Sequence, residues 1–240
     1  MKEKVLFVIP AHNEEKNIKN VILDIQKNFP KADIAVINDW STDKTEEIVT
    51  KENVILLNMP FNVGYAMAVQ TGIKYAKYNN YDYVIQFDGD GQHLASEAIK
   101  IFNKAIHTNA DIVIGSRFLK QTDYNHPLFR RIGTKTFSLI IKWFCKTKIT
   151  DPTSGFQCLN KKVIKRYSRM QGYPEFPDAN LIIEMLLEGY KIEEESVIMK
   201  ENNTGVSMHS GIMKPIKYVV KMFYAIVFIF AKHLLYGRSK

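Results

Sequence analysis

The feature that most constrains this chain is a repeated pair: a short apolar run that stops abruptly, then a segment whose apolar residues recur at helical spacing. Val5–Ile9 is continuously apolar, the mark of a strand buried on both faces. It is followed by Ile18, Val21, Ile22, Ile25 and Phe29 at i, i+3, i+4, i+7 and i+11. The same pairing returns three times. Strand Ile34–Ile37 precedes helix Lys44–Lys51, which the oxygens of Ser41-Thr42-Asp43 are placed to cap. Strand Val54–Leu57 precedes helix Tyr65–Tyr78, and strand Tyr83–Phe87 precedes a helix over about Ser96–His107. A fifth strand, Ile112–Ile114, runs into Gly115-Ser116-Arg117. This alternation predicts an α/β fold with a parallel sheet and right-handed crossovers over roughly the first 118 residues.

The pattern then changes. Pro127–Lys146 reads as a long helix with a mixed face, Thr150–Phe156 as a turn-rich loop, Asp178–Glu188 as a helix, and Lys191–Met199 as a strand of alternating charge. The most apolar segment is Lys214–Tyr236. Its uncharged run, Met222–Ala231, is far short of the ~20 residues that cross a bilayer. Lys214, Lys217, Lys221 and Lys232 fall within about 60° of one another on a helical wheel. A basic stripe on an apolar helix suits a segment lying in a membrane interface. A membrane partner protein would serve the same reading; the alternative is a terminal helix docked on the core or on a partner subunit, such as a second copy of the chain. The expected organisation is one domain over residues 1–213, with halves 1–118 and 119–213, and a basic amphipathic tail over 214–240.

The net charge of +8 in 240 residues asks for an anionic partner: a nucleotide, a nucleic acid or a lipid surface. No nucleic-acid motif and no basic-plus-aromatic stacking pattern is present, so nucleic acid is set aside. Met1-Lys2-Glu3-Lys4 leads straight into the first strand without the pattern of a signal peptide, and the expected location is cytoplasmic. Cys145 and Cys158 lack metal-ligand spacing and read as free thiols.

Polar residues gather where strands end: Glu14, Asp39, Asp88, Asp90 and Arg117. In a parallel sheet these ends share one edge, where open α/β sheets bind ligands. The densest cluster is Asp88-Gly89-Asp90-Gly91-Gln92-His93. Two carboxylates this close repel each other unless a cation or a donor lies between them. A hard divalent ion that also meets substrate phosphates would supply the cation; an acidic turn is the plainer reading. A Gly-x-Gly-x-x-Gly after the first strand is missing, which excludes a Rossmann dehydrogenase.

Six segments, in order, carry a resemblance. They are Ile9-Pro10-Ala11-His12-Asn13-Glu14, Asn38-Asp39-Trp40-Ser41-Thr42-Asp43, Asn62-Val63-Gly64, Asp88-Gly89-Asp90-Gly91-Gln92-His93, Gly115-Ser116-Arg117-Phe118 and Asp151-Pro152-Thr153-Ser154-Gly155-Phe156. Together they make the chain similar to family 2 glycosyltransferases of the GT-A fold, and most like the polyprenyl-phosphate sugar synthases. The resemblance implies a mostly parallel, Rossmann-like sheet flanked by helices, and inverting transfer from a nucleoside-diphosphate sugar, with UDP-sugar expected. It implies that Pro10, Ala11, His12 and Glu14 line the nucleotide pocket, that Asp39 reads the base, and that Gly64 and Gly89 let backbone approach the nucleotide. Asp88, Asp90 and Gln92 would hold Mg2+ or Mn2+. Arg117 would contact the diphosphate or an acceptor phosphate, and Ser154 and Gly155 would shape the acceptor side.

Three departures stand out. Trp40 replaces a small residue. Asn202–Met208 keeps Gly205 and Ser207 of a phosphate-gripping pattern but not its cations, so Lys200, His209 or Lys214 would have to supply the charge. The transmembrane helices of many bacterial relatives are not expected here. Two acceptors remain open. A polyprenyl phosphate is already anionic and needs no base, whereas a saccharide hydroxyl wants one, with Asp178 and Asp151 as candidates. Their plainer roles are a helix N-cap and a loop cap. His93 reads as a support for the acidic pair or as a surface turn residue, and Tyr173 and Phe176 as sugar-stacking rings or core packing. A catalytically inactive nucleotide-sugar-binding scaffold is the reading from outside enzymology.

Overall fold

The computed structural model describes residues 3–119, 128–200 and 213–236. Seven strands form one sheet: β1 (Val5–Ala11), β2 (Asp33–Asn38), β3 (Ile55–Asn58), β4 (Tyr83–Gln86), β5 (Ile112–Ser116), β6 (Gln157–Asn160) and β7 (Ile192–Ser196). Their order across the sheet is β3-β2-β1-β4-β6-β5-β7.

Strands β1 to β4 pair in parallel, in register Val8↔Ala35 and Leu6↔Val84. All of β1 is buried, yet its side chains alternate. Val5, Phe7, Ile9 and Ala11 enter one core with α1 (Ile18–Asn28) and α4 (Ala95–Thr108), while Leu6 and Val8 enter the other with α3 (Tyr65–Tyr78). Two-sided burial is what the continuous apolar run predicts. The strand runs two residues past Ile9, through Pro10. Pairing with β4 ends at Val8↔Gln86, so the proline lies beyond the stretch that β4 needs for its ladder.

The expected parallel run ends at β4. Its neighbour is not β5 but β6, which is antiparallel to both β4 and β5; β7 then pairs with β5 in parallel. Neither β6 nor the helix after it, α6 (Lys161–Ser168), is expected from the sequence. Four residues give too short a pattern to register. α6 buries only Val163, Ile164 and Tyr167 beneath a basic outer face. The antiparallel insertion has a functional consequence: the start of β6, not its end, lies at the edge where β1, β2, β4 and β5 finish, so the loop before β6 joins the others there.

The remaining helices are α2 (Thr45–Thr50), α5 (Leu128–Cys145), α7 (Ala179–Leu187) and α8 (Met213–Tyr236). Met222 and Ile226 of α8 are buried in the core that contains α7. The ten-residue uncharged run understated α8: Lys217–Leu235 is long and apolar enough by composition to cross a membrane, and only 11% of that window is buried. The lysines that interrupt the run lie near the ends of the window, which is why the shorter count missed it.

Candidate active site

Strand β4 ends at Gln86, Phe87 plugs the core, and the chain turns through Asp88–His93 at the carboxyl edge of the sheet. The Asp88 backbone N–H donates to Nδ1 of His93 at 3.1 Å, so the ring proton sits on Nε2, 3.5 Å from Asp88 Oδ2. The His93 ring is buried, stacked on Phe156 with centroids 4.4 Å apart and edge-on to Phe87. Burial pushes its pKa down to about 4, so the imidazole is neutral at pH 7. His93 is therefore an internal prop beneath the acidic turn and not a surface histidine.

Asp88 Oδ1 accepts a hydrogen bond from the Tyr65 hydroxyl at 2.9 Å, and Asp90 Oδ1 accepts the Gln92 backbone N–H at 3.0 Å. Burial raises the pKa of both carboxyls, and Asp88 raises that of Asp90 further. Glu14, just past the end of β1, is also raised, chiefly by burial, with Asp90, Asp43 and Asp88 adding repulsion. Folding thus crowds negative charge into a desolvated corner. Among the described residues, no three His, Cys, Asp or Glu side chains stand close enough to enclose a metal by themselves. Two hard oxygen donors with unmet charge fit an ion such as Mg2+ or Mn2+, which takes a few carboxylates and completes its shell with water and phosphate oxygens.

Beside this corner, the ends of β1 and β2 and the loop before α3 are sewn together. Asp39 accepts the Val63 N–H at 2.7 Å and the Gly64 N–H at 2.9 Å, one on each carboxylate oxygen. Its carbonyl meets His12 Nδ1 at 2.8 Å. Gly64 has φ +85 with open space where a Cβ would stand, so its backbone conformation, not a close approach, calls for glycine there. Trp40 is 54% exposed at the rim.

On the other side, Arg117 follows β5. Its Nε donates to Asp151 Oδ2 at 2.7 Å, its Nη2 to Oδ1 at 2.9 Å, and its backbone N–H to Oδ2 at 3.1 Å. Asp151 is wholly buried. Its own backbone N–H donates to Glu194 Oε1 at 2.8 Å, and Glu194 also accepts from Thr150. Asp178 stands at the N-cap position of α7 but makes no side-chain cap; its carboxylate accepts the Tyr218 hydroxyl of α8 at 2.8 Å. Burial pushes the Asp178 pKa up to about 6; Tyr218 and Arg117 pull it down, and Asp151 and Asp88 push it further up.

Three comparisons bear on this arrangement. Residues 6–168 match the family described as glycosyl transferase family 2. The chain belongs to that family. It is 29% identical to UDP-N-acetylglucosamine--dolichyl-phosphate N-acetylglucosaminyltransferase of Methanococcus voltae, over 95% of this chain and 97% of that one. It is 25% identical to undecaprenyl-phosphate mannosyltransferase of Micrococcus luteus, over 87% and 88%. In fold it resembles glucosyl-3-phosphoglycerate synthase of Mycobacterium tuberculosis crystallised with Mn2+, UDP and phosphoglyceric acid, with TM-score 0.70 and 14% identity over 94% of this chain and 79% of that one.

For a family 2 glycosyltransferase, the structure sorts the expected residues into groups. It brings Glu14, Asp88 and Asp90 into one acidic corner, with Arg117 and Asp178 within electrostatic reach of Asp88. Pro10 and Ala11 belong to β1, His12 and Asp39 are bound to each other, and Gly89 lies close under Pro10, where a Cβ would meet its carbonyl oxygen at 3.2 Å. Gln92 sits in the same turn, half-buried. Asp151 does not stand open as a base: both its oxygens hold Arg117. Ser154 turns inward, its hydroxyl donating to the Gly115 carbonyl at 2.7 Å. Tyr173 packs on Tyr167 and Phe176 on Tyr218, so both rings belong to the core. Asn202–Met208 and His209 lie outside the described residues. Lys200 donates its backbone N–H to the Gln92 carbonyl at 2.9 Å, which brings that lysine to the acidic turn.

Sequence reasoning missed Tyr65, Glu194 and Tyr218. Glu194 had a signal, since it lies two residues from buried Ile192 in β7, on the same face. Tyr65 and Tyr218 reach Asp88 and Asp178 across 23 and 40 residues, and no local pattern announces such contacts.

Proposed function

We propose that this chain is an inverting, metal-dependent glycosyltransferase that moves a sugar from a UDP-sugar to polyprenyl phosphate, working peripherally at the cytoplasmic face of a membrane. Residues 1–118 serve the donor, residues 119–213 the acceptor, and 214–240 form the membrane-associating tail. The observation that carries the choice of acceptor is the hydrogen bond between Tyr218 and Asp178. It puts α8, a long apolar helix that is largely exposed, in direct contact with the reaction corner, where a phosphate on a lipid tail would arrive. The names of the Methanococcus and Micrococcus relatives point to the same acceptor class.

In this reading the loop clasped by Asp39 and His12 receives the nucleotide, and Asp88 and Asp90, with Gln92, face its diphosphate. A divalent ion held there would neutralise charge on the departing diphosphate. Arg117 arrives pre-aimed. With its Nε and one Nη fixed by buried Asp151, the guanidinium cannot swing into solvent, and its charge is stationed beside Asp88 before substrate binds. Preorganised charge of this kind needs no rearrangement as the bond to C1 breaks. A phosphate acceptor brings its own negative charge and leaves no proton to remove.

Asp178 supports a second reading, transfer to a saccharide hydroxyl in cell-surface polysaccharide synthesis. A half-buried carboxyl with pKa about 6 suits a base at neutral pH. Incubating the enzyme with labelled UDP-sugars, Mn2+ or EDTA, and vesicles containing polyprenyl phosphate decides between them. Metal-dependent label in the organic phase supports the lipid acceptor. Label appearing only on added oligosaccharide would overturn it.

A further inference from the structure

The net charge of this protein is not spread over its surface. Helix α5 carries Arg130, Arg131, Lys135 and Lys142, helix α8 carries Lys214, Lys217, Lys221 and Lys232, and neither contains an Asp or Glu. Taking those eight cations from the chain's 33 Lys and Arg leaves 25, which its 25 Asp and Glu match. The whole +8 therefore resides on two helices, and the rest of the chain is balanced.

The same two helices carry many of the largest apolar side chains left in solvent. On α5 these are Leu139, Trp143 at 82% exposure and Phe144; on α8 they include Val220, Phe223 and Tyr224 at 74%. The surfaces are continuous. Phe144 of α5 meets Phe230 of α8 with ring centroids 4.5 Å apart, and Phe137 meets Tyr218 at 6.4 Å. Helix α8 is fastened along the body of the protein and does not project from it: Tyr218 bonds Asp178, Lys221 pairs with Glu175, and Lys232 pairs with Glu184 at 3.3 Å. A soluble monomer rarely exposes an apolar surface of this extent.

We propose that α5 and α8 together form one platform that lies in the headgroup region of an anionic phospholipid bilayer, with Trp143 of α5 as an anchor. This rests on the proposed membrane placement and adds to it a second element from within the catalytic domain. Apolar residues entering the interface, an aromatic at headgroup depth and cations toward anionic lipid are the features such a surface needs; with Lys221 and Lys232 held by glutamates of the body, the exposed Lys135, Lys142 and Lys217 are the cations left for the lipid. The platform also fixes the orientation of the enzyme, because Tyr218 connects α8 to Asp178. The carboxyl edge of the sheet is then held beside the membrane surface.

The test uses the full chain and vesicles of equal parts phosphatidylcholine and phosphatidylglycerol. Trp40 and Trp143 are the two tryptophans, so Trp40→Phe leaves Trp143 as the sole reporter. On adding vesicles, Trp143 emission should shift to the blue and be quenched most by lipid brominated near the headgroup. Lys142→Glu should weaken vesicle binding at least about fivefold, whereas Lys19→Glu, on α1, should not change it. If the chain binds vesicles while Trp143 stays unquenched, the α5 platform is wrong and the membrane placement survives. If the chain ignores vesicles altogether, both fall, even where sugar is still transferred to detergent-solubilised polyprenyl phosphate. A blue shift that grows with protein concentration without lipid assigns the surface to a second copy and also overturns the proposal.

Discussion

The hydroxyl of Tyr65 donates to Oδ1 of Asp88 across 2.9 Å, and the room for that hydroxyl is made by Gly155, where a Cβ would stand 2.8 Å from it. A residue at the start of α3 thereby fixes the rotamer of a carboxylate at the tip of β4, and a glycine in the loop before β6 keeps the space open. Partners that orient metal-facing carboxylates typically matter about 10–100-fold in metal affinity or activity. Tyr65→Phe should therefore raise the Mn2+ concentration needed for half-maximal UDP binding by about that factor and leave the fold intact. Gly155→Ala should do the same by displacing the ring. Calorimetric titration of Mn2+ in the presence of UDP checks both, and unchanged metal affinity in both would refute the orienting role.

The pairing of Arg117 with Asp151 makes a second prediction. Asp151 is fully buried, and its partner's side chain is only 13% exposed. Removing one member of such a pair leaves a buried charge uncompensated, at a cost of about 3–5 kcal/mol. Asp151→Ala should destabilise the protein on that scale in urea unfolding. Arg117→Lys should retain most stability but lose activity, because an ammonium cannot reproduce the two-pronged contact that aims the guanidinium. If Asp151→Ala unfolds at the wild-type midpoint, the pair contributes nothing to holding the loop before β6.

Much of this is legible in the sequence, for a physical reason. Strands buried on both faces write themselves as unbroken apolar runs, and a ligand edge writes itself as polar residues where those runs stop. Hence the strand-end positions of Glu14, Asp39, Asp88, Asp90 and Arg117 suffice to assign them to one edge of the sheet. What stays hidden depends on tertiary contact. β6 is four residues long and enters the sheet against the direction of its neighbours, so alternation gives no warning. Asp151 resembles a candidate base because composition cannot reveal that Arg117 occupies it. Asp178 looks like an N-cap because position is local information, while its bond to Tyr218 is not.

The state of Asp178 bears on pH. Its folded pKa, about 6, lies above the ordinary carboxylate value, so the folded state binds this proton more tightly than the unfolded chain. Asp178 therefore favours folding at low pH, and that contribution is lost as pH rises through about 4 to 6. Asp178→Asn should show a smaller decline in melting temperature across that window than the wild type. If a hydroxyl is the acceptor, kcat/KM should rise through pH 6 and Asp178→Asn should abolish turnover. With a phosphate acceptor the variant should retain turnover, and any limb near pH 6 that remains belongs to the second ionisation of the acceptor phosphate.

The acidic corner predicts a conflict between stability and function. Burial raises the pKa values of Asp88 and Asp90, and each carboxylate is worse off for the other's charge or for lost water. At pH 7 both are nevertheless expected to be ionised when a cation binds, and without one their charge opposes folding. Asp90→Asn removes a charge that the apo fold tolerates poorly while keeping the shape of the side chain. It should therefore raise the melting temperature of the metal-free protein, by roughly 2–8 °C for each kcal/mol relieved. The same change removes a hard oxygen donor. Mn2+ with UDP should raise the melting temperature of the wild type, as any ligand selective for the folded state does, and should leave that of Asp90→Asn unmoved. Differential scanning calorimetry of both proteins, with and without Mn2+ and UDP, gives the four values required. A variant that is less stable than wild type without metal, or that still responds to Mn2+ and UDP, would show that the strain in this corner is not electrostatic and that the ion sits elsewhere.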